Sequence, residues 1–113
     1  MKVNKELLKG STAVLVLSLL EKQPMYGYEM IKILEERSQG VFTFKEGTLY
    51  PILHTLEQQG LLHSYWSGAP GSRQRKYYEI TTQGIEYQKI RKEEWNMFRS
   101  AVDRVITVGE VGI

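Results

Sequence analysis

"GAPGSRQRKYYEI", residues 68–80, opens on small residues and a proline, gathers two arginines and a lysine, and ends on an alternating aromatic run. Just before it stands "LLHSYW", residues 61–66. Tyr65, Trp66, Tyr77 and Tyr78 favour extended backbone, while Gly68, Pro70 and Gly71 favour a turn. The two stretches therefore read as a β-hairpin with Arg73, Arg75 and Lys76 at or near its tip. A solvated loop gains little from three clustered cations. A loop that touches an anionic partner gains much more, because guanidinium groups fork onto phosphate and fit narrow minor grooves. The competing reading is a solubilising loop whose charges guard strand edges.

Toward the N-terminus, "KEGTLYPILHTLEQQG" (45–60) is a helix pattern. Leu49, Leu53 and Leu56 recur at i, i+4 and i+7 with Ile52 alongside, and Gly60 marks the stop. Pro51 has no amide hydrogen, so it belongs in the first turn or marks a kink. The opposite face carries Thr48, Tyr50, His54, Thr55 and Gln58. A helix of this diameter fits the major groove of B-DNA, where such a face reaches base edges and phosphates. Every surface helix also has a polar face, so this signal alone leaves both readings open.

Two more helices precede it. "KQPMYGYEM" breaks and restarts the chain: Pro24 discourages continuation, and a second helix runs to about Ser38 with Met30, Ile31 and Leu34 inward and Gly40 near its end. Tyr26, Gly27 and Tyr28 open it. These tyrosines fit either a phosphate contact or core packing. The first helix is expected as one piece from Lys5 to Glu21, capped by Asn4, with Leu8, Thr12, Leu15 and Leu19 in one stripe. After the hairpin, Thr81 or Thr82 caps a long last helix. Its stripe of Tyr87, Arg91, Trp95, Phe98, Val102 and Val105 is too apolar for a solvated face. A second copy of the chain is the economical cover. Helix, helix, helix, hairpin, long helix is the order of a mainly α (α+β) winged helix-turn-helix with a two-stranded wing. Residues 1–80 form the DNA-binding domain and 81–113 the dimerisation helix.

Composition agrees with one domain. The chain has 113 residues, 42% of them hydrophobic, and no cysteine. The absence of cysteine excludes disulfides, thiol nucleophiles and cysteine-held zinc, and fits a reducing cytoplasm. "AVLVLSLL" is too short to span a bilayer and is followed by "EKQP" rather than a signal cleavage site, so no membrane association is expected. Net charge is only +2. The excess sits at Lys2, Lys5 and Lys9 and in the hairpin. Catalysis has little to stand on: His54 and His63 lack metal-ligand spacing, Asp103 is the lone aspartate, and no nucleophile elbow or phosphate-cradling glycine loop occurs. No metal or cofactor is expected. A winged helix that docks proteins instead of DNA is the alternative, but it has no need of R-x-R-K in the wing.

Four stretches carry a family likeness: "YGYEMIKIL", "EGTLYPILHTLEQQGLL", "SYW" followed by "GSRQRKYYEIT", and "TTQG". On these the chain resembles the PadR family of bacterial transcriptional regulators, in its compact subgroup with a single C-terminal helix. The resemblance implies a homodimeric repressor on palindromic operators, released by small aromatic or lipophilic effectors such as drugs or phenolic acids. It gives a DNA-contact role to Tyr26, Tyr28, Thr48, Tyr50, Arg73, Arg75 and Lys76; His54 joins them from the polar face of the third helix. In compact, drug-responsive members a tryptophan of the last helix stacks on ligand between subunits, and "EEWNMF" places Trp95 there. Trp95 as a simple seam residue is the other reading. Phe98 and Val102 would line the same space, closed by Leu8, Thr12 and Leu15 of the first helix.

Overall fold

The computed structural model describes residues 5–108. The expected cap Asn4, Lys2 and residues 109–113 lie outside them. In chain order the elements are α1 (Lys5–Lys9), α2 (Thr12–Leu20), β1 (Met25–Tyr26), α3 (Gly27–Arg37), α4 (Glu46–Gln58), β2 (Leu62–Ser67), β3 (Arg75–Ile80) and α5 (Thr82–Val108). The molecule is mostly helical, with a small antiparallel sheet of order β1-β3-β2.

Two expectations are corrected. The first helix is not continuous. At Gly10 the helix propensity falls, and the Leu8 carbonyl collects the Ser11 amide (3.0 Å) together with the Ser11 and Thr12 hydroxyls (3.0 and 2.9 Å). These bonds close one short helix and start the next. The wing also gains a third strand: Met25 pairs with Tyr78 and Tyr26 with Tyr77. Two residues are too few to show a strand period, so "MY" is invisible to alternation counting. Pro51 lies past the first turn. It is the sixth residue of α4, and the Gly47 carbonyl that it leaves without an i+4 donor sits on the exposed side, open to water.

The α4 stripe builds the core as expected, whereas the stripe expected in the first helix is buried at Thr12 and Leu19 but only half-buried at Leu8 and Leu15. Val16, Leu17 and Leu20 of α2, Met30 and Leu34 of α3, and Leu49, Leu53 and Leu56 of α4 are buried against Leu62 and Tyr78 of the sheet. Burial pushes the Tyr78 phenol up from its ordinary value, and the charges of Glu57 and Tyr50 push the same way. The α4 helix ends on Gly60 (φ +79°), whose left-handed backbone lets the Leu61 amide return to the Leu56 carbonyl at 3.0 Å. That stop turns the chain straight into β2.

The joint between the winged body and α5 rests on Thr81 and Gly84. The Thr81 hydroxyl donates to the Gly60 carbonyl (2.7 Å) and accepts the Gly84 amide (2.9 Å), while the Thr81 amide donates to the Leu61 carbonyl (3.1 Å). Thr81 is thus the cap, and it pins the first turn of α5 to the end of α4. Gly84 is needed for closeness. A β-carbon there would run into the Leu61 carbonyl oxygen and lie 2.7 Å from Ile80 Cγ1. Backbone cannot swing aside as a side chain can. Gly84→Ala is therefore expected to lower stability by about 1–3 kcal/mol, the usual range for overpacking, seen as a lowered thermal midpoint; an unchanged midpoint would show that the joint is not close-packed.

Beyond this joint α5 lies along α2. Gln88, fully buried, donates to the Val14 carbonyl (3.0 Å) and to Ser18 Oγ (2.7 Å), and Lys92 pairs with Glu21 at 3.0 Å. Gln88 Oε1 has no partner. The stripe that is covered at Gly84 and Gln88 then continues into solvent: Trp95 is 38% exposed, Phe98 59%, Val105 78% and Ile106 67%. Twenty-seven helical residues span about 40 Å, and the molecule is accordingly elongated, 67 Å on its long axis.

Candidate nucleic-acid interface

A groove of about 540 Å³ lies between the start of α3, the first turns of α4 and the wing. Tyr26, Tyr28, Tyr50, Arg73, Arg75 and Lys76 all line it. Six of the eight residues expected to meet DNA thus come from three separate elements to one surface. His54 stands one turn beyond Tyr50 on the exposed side of α4. Thr48 goes elsewhere. At 100° per residue it lies 200° round the helix from Tyr50, on the far flank, where it faces α1 and α2.

The rings of Tyr26, Tyr28, Tyr50, Trp66 and Tyr78 line the groove beside the three cations, and Tyr26 is backed by two further tyrosines outside it. Tyr26 is half-buried, and the ring of Tyr77 meets it edge-on at 5.5 Å. Tyr65 stacks on Tyr77 at 5.9 Å from the next strand. Antiparallel register puts Tyr26, Tyr77 and Tyr65 directly opposite one another across the sheet. The Arg75 guanidinium lies over Tyr26 at 4.9 Å and the Lys76 ammonium over Tyr78 at 5.7 Å. These rings hold the cations in place without neutralising them. Among the described residues the ion pairs are His63–Glu79, Arg91–Glu94 and Lys92–Glu21. None engages Arg73, Arg75 or Lys76.

Tyr50 depends on a neighbour that sequence reasoning did not single out for it. A β-carbon on Gly27 would sit 2.5 Å from the Tyr50 hydroxyl oxygen and 2.8 Å from Cζ. The glycine lets the phenol lie across the start of α3. Because the clash is with a movable ring, Gly27→Ala is expected to leave the thermal midpoint within a few degrees while turning Tyr50 out of the groove. DNA affinity is expected to fall by roughly tenfold, the scale of one lost contact; undiminished affinity in a titration would show that the Tyr50 position is immaterial.

Glu46, Trp66, Gln74 and Tyr78 also line the groove and were not among the expected contacts. For Trp66 the signal was present. Counting by two from buried Leu62 through Ser64, whose hydroxyl donates to Glu57 of α4 at 2.5 Å, puts Trp66 on the α4 side of the sheet.

The expected effector set does not converge within one chain. Leu8 and Thr12 line a cleft of about 760 Å³ with Ala13, Val41, Phe44, Thr48 and Ile52. Phe98 and Val102 line a shallow groove of about 290 Å³ with Ala101, Val105 and Ile106. Trp95 stacks on Phe98 at 5.9 Å, and Leu15 is half-buried against the core. The direction of α5 explains the separation. As it advances from Gln88 to Lys92 its partners on α2 advance from Val14 to Glu21. Trp95 and later residues therefore leave past one end of α2, whereas Leu8 and Thr12 stand at the other.

A winged helix with a cationic wing beside a helix of aromatic and polar outward residues defines a DNA-binding class of architecture. The sequence profile of the PadR-like family of transcriptional regulators matches residues 16–89, and the chain belongs to that family. A transcriptional regulator of Clostridium thermocellum superposes with a TM-score of 0.82 at 31% identity, covering 90% of this chain and 96% of that one. A PadR family transcriptional regulator of Eggerthella lenta gives 0.76 at 37% identity over 89% and 86%. The transcriptional regulator YqjI of Escherichia coli is 27% identical over 82% of this chain, which spans 43% of that protein. Among the described residues no helix is long and apolar enough to cross a membrane.

Proposed function

We propose that the protein is a homodimeric, cytoplasmic repressor that occupies an inverted-repeat operator and is released by a planar aromatic or lipophilic molecule bound between subunits. The observation that carries the DNA reading is the convergence of four tyrosines and three unpaired cations in one groove. In the dimer, residues 81–113 join two copies of the 1–80 winged body, and the two α4 helices enter successive major grooves about 34 Å apart. Arg73, Arg75 and Lys76 grip flanking phosphate or minor groove. Tyr26, Tyr28, Tyr50 and His54 meet backbone and base edges, with Thr48 at the opposite flank of the same helix.

The release step follows from the split effector set. Two α5 helices crossing at their exposed stripes bring Trp95, Phe98 and Val102 of both copies together, and paired tryptophans offer flat faces to a planar molecule. A ligand that favours one separation of the α5 pair shifts the spacing of the α4 helices, and with it operator affinity. Leu8, Thr12 and Leu15 take part if α1 and the start of α2 of one copy reach α5 of the other.

Selection of bound fragments from the host's own genomic DNA tests the reading. Recovery of an inverted repeat with half-sites about one helical turn apart supports it; recovery of no enriched fragment rejects it in favour of a protein-docking winged helix. For the effector, fluorescence titration with planar drugs is expected to quench Trp95, and Trp95→Ala to abolish the effect. Quenching that persists in the variant places the ligand at Trp66 or elsewhere.

A further inference from the structure

The groove that gathers the cations also holds a carboxylate. Glu46 is the first residue of α4 and is exposed on the same wall as Tyr50, four residues on, with Arg73, Arg75 and Lys76 across from it. It belongs to none of the ion pairs among the described residues. A negative charge there is favoured by the positive end of the helix, which explains its compatibility with the fold. That does not explain its presence in a surface that must receive a polyanion. Opposite a phosphate the carboxylate repels. Opposite a major-groove base edge it has two kinds of partner, the amino hydrogens of cytosine N4 and of adenine N6.

From this placement, and resting on the DNA-binding reading above, we infer that Glu46 sets base selectivity: its carboxylate penalises DNA held through phosphates alone and is accommodated where a base presents an amino group. The cations supply sequence-independent attraction. Glu46 withdraws part of it at every site except one whose edge donates a hydrogen bond. The two charges act on different quantities. The wing raises affinity for all DNA, and Glu46 widens the gap between the right sequence and the rest.

The test uses the full chain and three versions of residue 46: wild type, Glu46→Gln, which keeps shape and removes charge, and Glu46→Ala. Each is taken through selection on random duplexes. Each is then titrated with the wild-type selected duplex and with a shuffled duplex of the same composition. A good base contact discriminates roughly 5- to 150-fold. The ratio of the two affinities is therefore expected to fall at least fivefold in both variants, chiefly through tighter binding to the shuffled duplex. One cytosine or adenine position of the selected motif is expected to lose its preference. A purely structural role at the helix start would weaken both duplexes by one common factor, and that result overturns the inference. An unchanged ratio with an unchanged motif also overturns it while leaving the DNA reading intact. A wild-type chain that selects no motif removes both together.

Discussion

Replacing Arg73, Arg75 and Lys76 together with alanine is expected to weaken binding to every DNA sequence by at least a hundredfold and to flatten the salt dependence. Each phosphate neutralised on duplex DNA contributes about 0.9 to the slope of log affinity against log salt. Three cations per copy therefore carry about 2.7, and a dimer about twice that. The variant is expected to fold, because Arg73 and Arg75 are exposed, and Lys76, though half-covered, leans on Tyr78 with its ammonium 5.7 Å from the ring. Titration of labelled duplexes at several salt concentrations checks both quantities. An unchanged slope would show that the wing does not touch phosphate, whatever happens to affinity. Because Arg75 is seated on Tyr26 at 4.9 Å, a second variant, Tyr26→Ala, separates position from charge: it keeps the cation and removes the platform. The slope is expected to stay close to wild type while the affinity falls.

Most of the fold was legible because its signals are periodic. The leucines of α4 at 49, 53 and 56, the aromatic strands around a glycine-proline turn, and the apolar stripe of α5 each repeat often enough to be counted, and each is where its period put it. What escaped was short or relational. Gly10 and Ser11 split the first helix through bonds converging on one carbonyl, which no stripe encodes. The two-residue strand at Met25 exists only because β3 runs beside it. The same division holds at the candidate interface. Charge clustering marked Arg73, Arg75 and Lys76, and outward spacing marked Tyr50. Gly27 matters only because a phenol 23 positions later in the chain crosses it, and Glu46 only because the wing folds over opposite it. Thr48 shows the converse: two residues from Tyr50 in the motif, it lies on the other flank once the helix turns. The effector residues were assigned to a space between subunits, and within one chain the direction of α5 sends them to opposite ends of α2.

That direction also makes the exposed half of α5 the part of the molecule most sensitive to a single charge. Phe98 is 59% exposed and Val105 78%; with Val102 and Ala101 they form one apolar groove on a helix that has left its own core behind. Covering such a stripe recovers about 25 cal/mol for each Å² removed from water, and an identical stripe on a second copy fits it by two-fold symmetry. A buried unpaired carboxylate reverses that gain. Phe98→Asp combined with Val102→Asp is therefore expected to convert the proposed dimer to monomer at micromolar concentration in sedimentation equilibrium. The winged body is expected to keep its helix content, because neither residue packs on the core residues around Val16, Leu53 and Leu62. Operator affinity then falls by a factor of 10² or more, since each half-site is held alone and the second contact no longer benefits from the effective concentration that linkage supplies. Affinity for a single half-site is expected to stay near wild type, because the wing and α4 are intact. A variant that remains dimeric would move the interface to another surface, with the cleft beside Leu8 and Thr12 as the next apolar candidate. A wild-type chain that is itself monomeric while binding an inverted repeat tightly would mean that the DNA, rather than α5, brings the two copies together.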